Sequence, residues 1–140
     1  MEAVRTSDRT RYARCILTLV KYEFLAKHYQ DVLHEVRTHL EDERCTGSAA
    51  ELSYIAWASA REIDAASELY WRTLILARYS ANPMCAKLLL DVATQEIDRQ
   101  EFAAAAKDLR AIVDNYSKTK ESADAIGMLK SLTNVHVYDK

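Results

Sequence analysis

Glycine and proline are scarce in this chain, which has two glycines and one proline among 140 residues. A fold rich in tight turns needs many more of them, because most such turns use backbone conformations that glycine and proline adopt most easily. Alanine, leucine, glutamate, lysine and arginine, which are abundant here, favour the helix. The sequence therefore predicts an all-α fold, and its length suffices for one domain with a hydrophobic core.

Apolar residues at helical spacing predict about seven helices with short connections, the first of them after Ser7. Helix starts are indicated by Asp64, by Asn82 followed by Pro83, and by two capping boxes. The capping boxes pair Ser48 with Glu51 and Asp98 with Glu101. The tail TNVHVYDK, residues 133–140, has no helical period and is predicted to be extended or frayed.

The net charge at pH 7 is -2, which gives no general attraction to nucleic acid or to an anionic membrane. The local exception is an N-terminal cluster of Arg5, Arg9, Arg11 and Arg14. Such a cluster is typical of a solvated helix start, with a basic arm for an anionic partner as the alternative. The longest apolar run near the N-terminus, residues 15–20, is too short for a signal-peptide core or a membrane span.

The three cysteines, Cys15, Cys45 and Cys85, form no Cys-x-x-Cys pair. Because their number is odd, no disulfide scheme includes all of them, and we expect buried or half-buried free thiols. Free thiols persist in a reducing compartment, so the sequence predicts an intracellular, cytoplasmic protein.

The second helix of each predicted pair carries the same stripe, with residues at offsets 0, 3, 7 and 11. The three stripes are Tyr29, Val32, Val36 and Leu40; Ile63, Ala66, Tyr70 and Leu74; and Phe102, Ala105, Leu109 and Val113. Successive stripes begin 34 and 39 residues apart. One stripe indicates only an amphipathic helix, but its recurrence indicates a repeated helix pair.

This pattern resembles the tetratricopeptide repeat (TPR) family, whose unit is a helix–turn–helix of about 34 residues. The matching residues are Ile16, Leu19 and Val20 with Val32 and Val36; Leu52, Ser53 and Ala56 with Ala66 and Tyr70; and Leu89, Val92 and Ala93 with Ala105 and Leu109. The sequence departs from the family at its glycine, replaced by Val20, Ser53 or Ala93, and at its tyrosine, replaced by Glu23, Ala56 or Glu96.

The resemblance implies one helical-repeat domain over residues 1–140, an α-solenoid of three TPR-like repeats with a C-terminal capping helix. The repeats would span about 13–46, 47–82 and 83–118, and the capping helix about 120–133. A cap is needed because each helix pair leaves an apolar face that only a neighbouring helix covers. The alternative is an irregular helical bundle.

By the same resemblance, the first helices would line a concave groove for a protein or peptide partner. The groove positions would be Arg14, Leu17, Lys21, Phe24, Tyr54, Trp57, Lys87, Leu90, Thr94 and Ile97. For each of them, packing within the core is the alternative. The asparagine of the TPR clamp for chaperone tails is absent, so that ligand is disfavoured. A mixed apolar and basic groove suits a segment with apolar anchors and one or two acids.

Residues 68–79, ELYWRTLILARY, form a helix whose apolar residues surround most of its circumference. Such a helix is buried on more than one side. Trp71, Ile75 and Leu76 are therefore predicted to form a convex interface with another protein, with a second copy or within a larger assembly. The alternative is that the C-terminal segment folds back over them.

The stretch KHYQDVLHEVRTHLED, residues 27–42, is rich in histidine and acids but lacks a metal motif. His34 and His39 are five residues apart, which is roughly 140° around a helix, whereas the zinc motif HExxH spaces them by four. Glu35, His39 and Glu43 instead have the spacing of ion pairs along one face. No glycine-rich phosphate loop or local Cys–His pair occurs, so we predict no metal, no cofactor and no enzymatic activity.

The predicted function is that of a non-enzymatic adaptor or assembly subunit. Three alternatives remain: a small three-repeat chaperone for secretion or assembly clients, a helical repeat that binds RNA or DNA, and an enzyme. The near-neutral charge and the small number of repeats argue against nucleic acid.

Overall fold

The computed structural model describes the backbone of residues 2–138 and the side chains of residues 8–134. This part of the chain contains seven α-helices, one 3₁₀ helix and no strand, which confirms the predicted all-α class. The α-helices are α1 (Glu2–Leu25), α2 (Tyr29–His39), α3 (Ala49–Ala60), α4 (Ala65–Arg78), α5 (Met84–Asp98), α6 (Phe102–Asn115) and α7 (Lys120–Tyr138), and the 3₁₀ helix is Glu43–Ser48.

The chain divides into two compact units, Met1–Ser80 and Ala81–Lys140. In the N-terminal unit, α3 packs against α1, α2 and α4, while α1 also packs against α2 and the 3₁₀ helix. Its core includes Val20, Val32, Val36, Leu52, Ala56, Trp57, Trp71 and Ile75, all at most 1% exposed. In the C-terminal unit, α6 packs against α5 and α7, around a core that includes Cys85, Leu88, Ala93, Ala105, Leu109 and Ile112.

The ends of the helices differ from the sequence prediction at both termini. α1 begins at Glu2, ahead of the predicted start after Ser7. The prediction of an extended or frayed tail is wrong for residues 133–138, because α7 continues to Tyr138; residues 139–140 lie outside the described part. A helix can continue without an apolar period as long as no proline or glycine interrupts it, and residues 133–138 contain neither.

Two of the four predicted helix starts are correct. The Asp64 carboxylate accepts a hydrogen bond from the Ser67 amide at 2.7 Å, and the Asn82 side chain accepts one from the Met84 amide at 2.9 Å. The bond from the Ser67 amide lowers the pKa of Asp64, because it stabilises the charged carboxylate. Asn82 acts one residue before Pro83, which occupies the N-cap position itself.

The two predicted capping boxes do not form. At Ser48 no side-chain bond caps α3, because the 3₁₀ helix runs directly into it and the Ala49 amide already donates to the Thr46 carbonyl. Asp98 is the last residue of α5, and α6 begins only at Phe102, after Glu101, which forms no side-chain cap. The capping box at Ser48 is therefore replaced by a continuous backbone, and the one at Asp98 is replaced by the turn between α5 and α6.

The turn between α1 and α2 places a non-glycine residue in the left-handed region. Lys27 has φ of 64°. Its amide donates to the Phe24 carbonyl at 3.0 Å, and the next amide, of His28, donates to the Glu23 carbonyl at 2.8 Å. This pair of bonds is the Schellman motif, which satisfies the last carbonyls of a helix.

The turn between α5 and α6 has the same geometry. Gln100 has φ of 65°, its amide donates to the Ile97 carbonyl at 2.9 Å, and the Glu101 amide donates to the Glu96 carbonyl at 2.8 Å. The residue before each following helix also matches, with φ and ψ of -87° and 64° at His28 and of -90° and 66° at Glu101. The two helical hairpins therefore turn in the same way.

The register of α4 differs by one residue from the sequence interpretation. Trp71 and Ile75 are 1% and 0% exposed, whereas Tyr70, which was assigned to the inward stripe, is 57% exposed. Trp71 and Ile75 are thus core residues, which corrects their assignment to a convex interface; Leu76 is half-buried. The inward face is the one that buries the large indole, because that removes the most apolar surface from water.

Candidate functional site

A mostly apolar concave surface of the C-terminal unit lies between α5 and α7. It is a cleft of about 620 Å³ that contains three of the four groove residues predicted in the third repeat: Leu90, Thr94 and Ile97. Its other lining residues are Phe102, Asp124, Gly127, Met128, Ser131 and Leu132. Asp124 is the one charged residue of this lining, so the cleft suits an apolar side chain with a cation beside it.

A second, smaller cleft continues from the first between α6 and α7. It has a volume of about 360 Å³ and shares Phe102 and Leu132 with the larger cleft. Phe102 is the first residue of α6 and is 36% exposed, so its ring contributes to the walls of both clefts. The left-handed turn at Gln100 sets this position, because it reverses the chain two residues before Phe102.

In the N-terminal unit, the predicted groove residues Arg14 and Leu17 line a cleft of about 480 Å³ between α1, the 3₁₀ helix and the start of α3. Its remaining lining residues are Arg9, Thr10, Ala13, Arg44, Gly47 and Ser48. Three arginines line this space, but Arg44 pairs with Asp42 and Arg9 lies 3.9 Å from Glu43. Among the described residues, Arg14 is therefore the one arginine of this lining without a carboxylate at ion-pair distance.

Arg44 is held in this cleft by two neighbours. Its guanidinium donates two hydrogen bonds to the Asp42 carboxylate, at 2.7 and 3.1 Å, and lies 3.6 Å from the centre of the Tyr12 ring. The hydrogen bonds from the Arg44 side chain and amide lower the pKa of Asp42 to about 2. The pair fixes the 3₁₀ helix at its first turn, where the Arg44 amide also bonds the carboxylate.

The other predicted groove residues of the first repeat make internal contacts. Lys21 forms an ion pair with Glu51 of α3, with 3.1 Å between Nζ and Oε1. Phe24 is half-buried, and its ring contacts Tyr29 edge-to-face with 6.0 Å between the ring centres. Both contacts tie α1 to a neighbouring helix, so these side chains contribute to packing as well as to the surface.

Trp57, predicted to line the groove, is a core residue with 1% of its surface exposed. Its indole N–H donates to Glu68 Oε2 at 2.7 Å, and Arg72 donates to Glu68 Oε1 at 2.8 Å. The Arg61 guanidinium lies 4.7 Å from the centre of the indole ring. This corrects the sequence interpretation. The Trp57 indole packs between α3 and α4, and its N–H supplies a hydrogen bond to the half-buried carboxylate of Glu68.

Three further predicted groove residues remain at or near the surface. Tyr54 is half-buried and lies against Trp57, with 5.6 Å between the ring centres. Lys87 is exposed on α5, and Thr94 is exposed with its hydroxyl donating to the Leu90 carbonyl at 2.8 Å. Of the two groove residues predicted for the second helix pair, Tyr54 and Trp57, only Tyr54 is therefore left as a groove candidate.

The histidine-rich stretch forms polar contacts within the N-terminal unit. Nε2 of His39 lies 3.4 Å from Glu35 Oε2, as its spacing predicts, and Nδ1 shares a hydrogen bond of 3.0 Å with the Tyr12 hydroxyl. Glu43 lies 3.9 Å from Arg9 instead of pairing with His39. Among residues whose side chains are described, no three His, Cys, Asp or Glu side chains are arranged to hold a metal ion.

Sequence reasoning missed the exposed apolar residues of α1. Leu19, Tyr22 and Leu25 are 40%, 66% and 79% exposed, and Cys15 is exposed although we expected its thiol to be at least half-buried. Cys45 and Cys85 are buried, as expected. Helical spacing shows that α1 has apolar residues, but only the positions of its neighbours show which of them are covered.

Comparisons of this chain with protein-family models, with curated proteins and with solved structures find no match. No helix in the described part of the chain is long and apolar enough to cross a membrane.

Proposed function

We propose that this protein is a non-enzymatic protein–protein interaction module, an adaptor or assembly subunit built from three TPR-like helical hairpins. The hairpins would be α1–α2, α3–α4 and α5–α6, with α7 as the capping helix of an α-solenoid. The ligand is a peptide segment with apolar anchors that binds along the first helices. A small chaperone that shields a client segment would use the same surface.

The observation that carries this proposal is the shared turn of the first and last hairpins. Lys27 and Gln100 have the same left-handed φ, the same two amide–carbonyl bonds and the same residue geometry before the next helix. The residues that align with TPR positions fall at equal distances from these turns: Val20 and Ala93 before them, Val36 and Leu109 after them. All four are fully buried. This is what a duplicated hairpin predicts.

The middle hairpin supports the repeat less directly. Its second helix, α4, begins at Ala65, close to midway between the starts of α2 at Tyr29 and of α6 at Phe102. Its turn lacks the left-handed residue that the other two hairpins have. It also differs in having an ion pair, between Glu68 and Arg72, on the half-buried side of α4. Ala13, Ala49 and Ala86 each lie 16 residues before the first residue of the second helix of their hairpin. All three are buried, which fits close helix packing in each hairpin.

Peptide binding is supported by the cleft between α5 and α7. Its walls are mostly apolar and partly exposed, and Asp124 provides one negative charge. We expect the bound segment to place an apolar or aromatic side chain between Ile97 and Met128, with a lysine or arginine close to Asp124. The three cysteines are thiols and not disulfides, which fits a reducing compartment, and the proposal places the protein in the cytoplasm.

The test is selection of peptides from a random displayed library on the immobilised full chain. We expect enrichment of sequences with an aromatic or aliphatic anchor next to a basic residue. Ile97→Ser should weaken binding of the selected peptides by about tenfold or more, since it removes apolar contact area worth over 1 kcal/mol. Leu69→Ser, at an exposed leucine of α4, is the matched control. Selected peptides that bind Ile97→Ser as tightly as the unmodified protein would contradict the proposal.

A further inference from the structure

The outward side of α1 carries a row of exposed apolar residues. Cys15, Leu19, Tyr22 and Leu25, called here the outer α1 face, are three or four residues apart, so they lie along one side of the helix. All four are exposed, Tyr22 and Leu25 to 66% and 79%. Within the described side chains no other helix has three exposed large apolar residues in one row.

The opposite side of α1 is already used for packing. Ala13 and Val20 are buried there, where α1 meets α2, α3 and the 3₁₀ helix. The second half of α1 is thus apolar on two sides, which is typical of a helix with neighbours on both.

The edge of this face is positively charged. Arg11 and Arg14 are exposed next to Cys15, and among the described residues neither is within ion-pair distance of a carboxylate. Lys21 is paired with Glu51, and Asp8 is the one acid on the exposed side of residues 8–22. The same edge opens onto the arginine-lined cleft, whose lining includes Arg14.

We propose that the outer α1 face binds an amphipathic helix of another protein, and that this helix is acidic along one edge. Its apolar side chains would pack between Leu19, Tyr22 and Leu25, and its glutamates or aspartates would lie against Arg11 and Arg14. Charge decides the occupant. In a second copy of this chain the apolar row itself carries no acid. Near its C-terminal end, Glu23 is half-buried and Asp31 lies on α2, so self-association offers Arg11 and Arg14 fewer carboxylates than an acidic helix does.

This surface is separate from the peptide cleft between α5 and α7, and the inference does not depend on the repeat assignment. Loss of binding at one surface with binding retained at the other distinguishes the two proposals. In a protein that works as an adaptor, two independent surfaces would allow two partners to be held together.

The experiment uses the full chain and designed helical peptides of about 18 residues, or five turns. Each peptide presents leucines at positions i, i+3, i+4 and i+7, with glutamates on both flanks; the matched peptides carry lysines there. Binding is measured by fluorescence anisotropy in low salt and in about 0.5 M salt, which shortens the Debye length to a few ångströms. The acidic peptides should bind at least about tenfold tighter than the lysine peptides in low salt, and this preference should shrink in high salt.

Two variants of the protein test the residues. The double variant Tyr22→Ser, Leu25→Ser should weaken binding of the acidic peptides by about tenfold or more. The double variant Arg11→Glu, Arg14→Glu should bind the lysine peptides more tightly than the acidic ones. Leu69→Ser should change neither. All substituted side chains are exposed, so each variant should keep the helical circular-dichroism spectrum and the melting temperature of the unmodified protein.

Three results would overturn the inference. The first is equal binding of acidic and lysine peptides, because the surface would then recognise apolar contact alone. The second is no saturable binding by any acidic peptide of the panel. The third is a dimer in sedimentation velocity that Tyr22→Ser, Leu25→Ser converts to monomer, which would assign the outer α1 face to a second copy of this chain.

Discussion

The indole of Trp57 joins two properties that sequence reasoning treats separately, apolar bulk and a polar group. Its ring is buried in the N-terminal unit, and its N–H donates to Glu68, which also accepts from Arg72. A half-buried carboxylate is tolerated only when its hydrogen bonds are made. Trp57 therefore stabilises the α3–α4 hairpin through both its volume and its donor.

Replacing Trp57 by Phe should lower the free energy of unfolding by about 2 kcal/mol, because the core loses volume and Glu68 loses a donor. Urea denaturation followed by circular dichroism measures the loss. Tyr22→Ala is the control, since Tyr22 is 66% exposed and its substitution should change stability by no more than about 0.5 kcal/mol. Unchanged stability in Trp57→Phe would return this residue to the list of groove candidates.

Glu23 is the residue whose charge state should couple to folding. Burial raises its pKa above the ordinary value of 4.5, and the nearby charges of Glu35 and Asp31 raise it further. A carboxyl group with a raised pKa in the folded state destabilises the fold once it ionises. Its unfavourable contribution is therefore absent below about pH 4 and grows as the pH rises through the folded-state pKa.

Glu23→Gln should for this reason raise the melting temperature at pH 7, and the gain should vanish as the pH falls below the ordinary pKa of 4.5. Thermal unfolding at a series of pH values measures it. Glu62→Gln, at an exposed glutamate, is the comparison and should show no such trend. A gain from Glu23→Gln that is the same at pH 4 and pH 7 would show that its cause is not ionisation.

At the scale of elements, the first and last hairpins resemble each other most in their turns. Lys27 and Gln100 adopt positive φ, a conformation that places the Cβ atom of an L residue close to the backbone. Glycine is the usual residue at this position of a helix C-terminus, and neither turn has it. This is why glycine counting at the sequence level gives no sign of two identical turns.

Lys27→Gly and Gln100→Gly should each stabilise the protein by up to about 1 kcal/mol, since relief of the left-handed strain exceeds the added chain entropy of glycine. The matched control is Lys107→Gly at an exposed position inside α6, which should destabilise by about 1 kcal/mol. Chemical denaturation of the three variants tests both signs. Destabilisation by Lys27→Gly would mean that the lysine side chain makes a contact that outweighs the strain.

At the scale of the whole molecule, the three cysteines lie on three different helices and differ in exposure. Cys15 is exposed on α1, Cys45 is buried in the 3₁₀ helix, and Cys85 is buried at the start of α5. Burial raises the pKa of Cys45 and of Cys85, so both thiols are less ionised as well as less accessible. Only the ionised thiol is a nucleophile.

We expect the exposed thiol of Cys15 to react rapidly with a disulfide reagent in the native protein. The buried thiols of Cys45 and Cys85 should react only when the unit that contains them opens. Mass spectrometry of the labelled chain identifies the sites, and Cys15→Ser should remove the fast phase alone. The rates at Cys45 and Cys85 then measure opening of the N-terminal and C-terminal units separately. Fast labelling of Cys85 would contradict the burial of α5 in the native protein.

The helical class, the number of helices and the starts of α4 and α5 follow from local chemistry. The signals are the scarcity of glycine and proline, the helical spacing of apolar residues and the caps at Asp64 and Asn82. Each acts over a few residues, so it can be recognised in the sequence without knowledge of the tertiary structure. The same holds for the apolar stripes of α2 and α6, whose residues Val32, Val36, Ala105 and Leu109 are fully buried. The ion pair of Glu35 with His39 is also local, four residues apart on one helix.

What depended on packing was which face of a helix is covered. α1 and α4 are apolar on more than one side, so their periods allow several registers, and contacts with other helices choose among them. Those contacts bury Trp57, Trp71 and Ile75, which local reasoning placed on surfaces, and leave Tyr22 and Leu25 exposed. Burial is a property of neighbours that lie far away in sequence. For that reason the outer α1 face emerged only once the helices were packed together, whereas Leu90, Thr94 and Ile97 of the α5–α7 cleft were already predicted from the sequence.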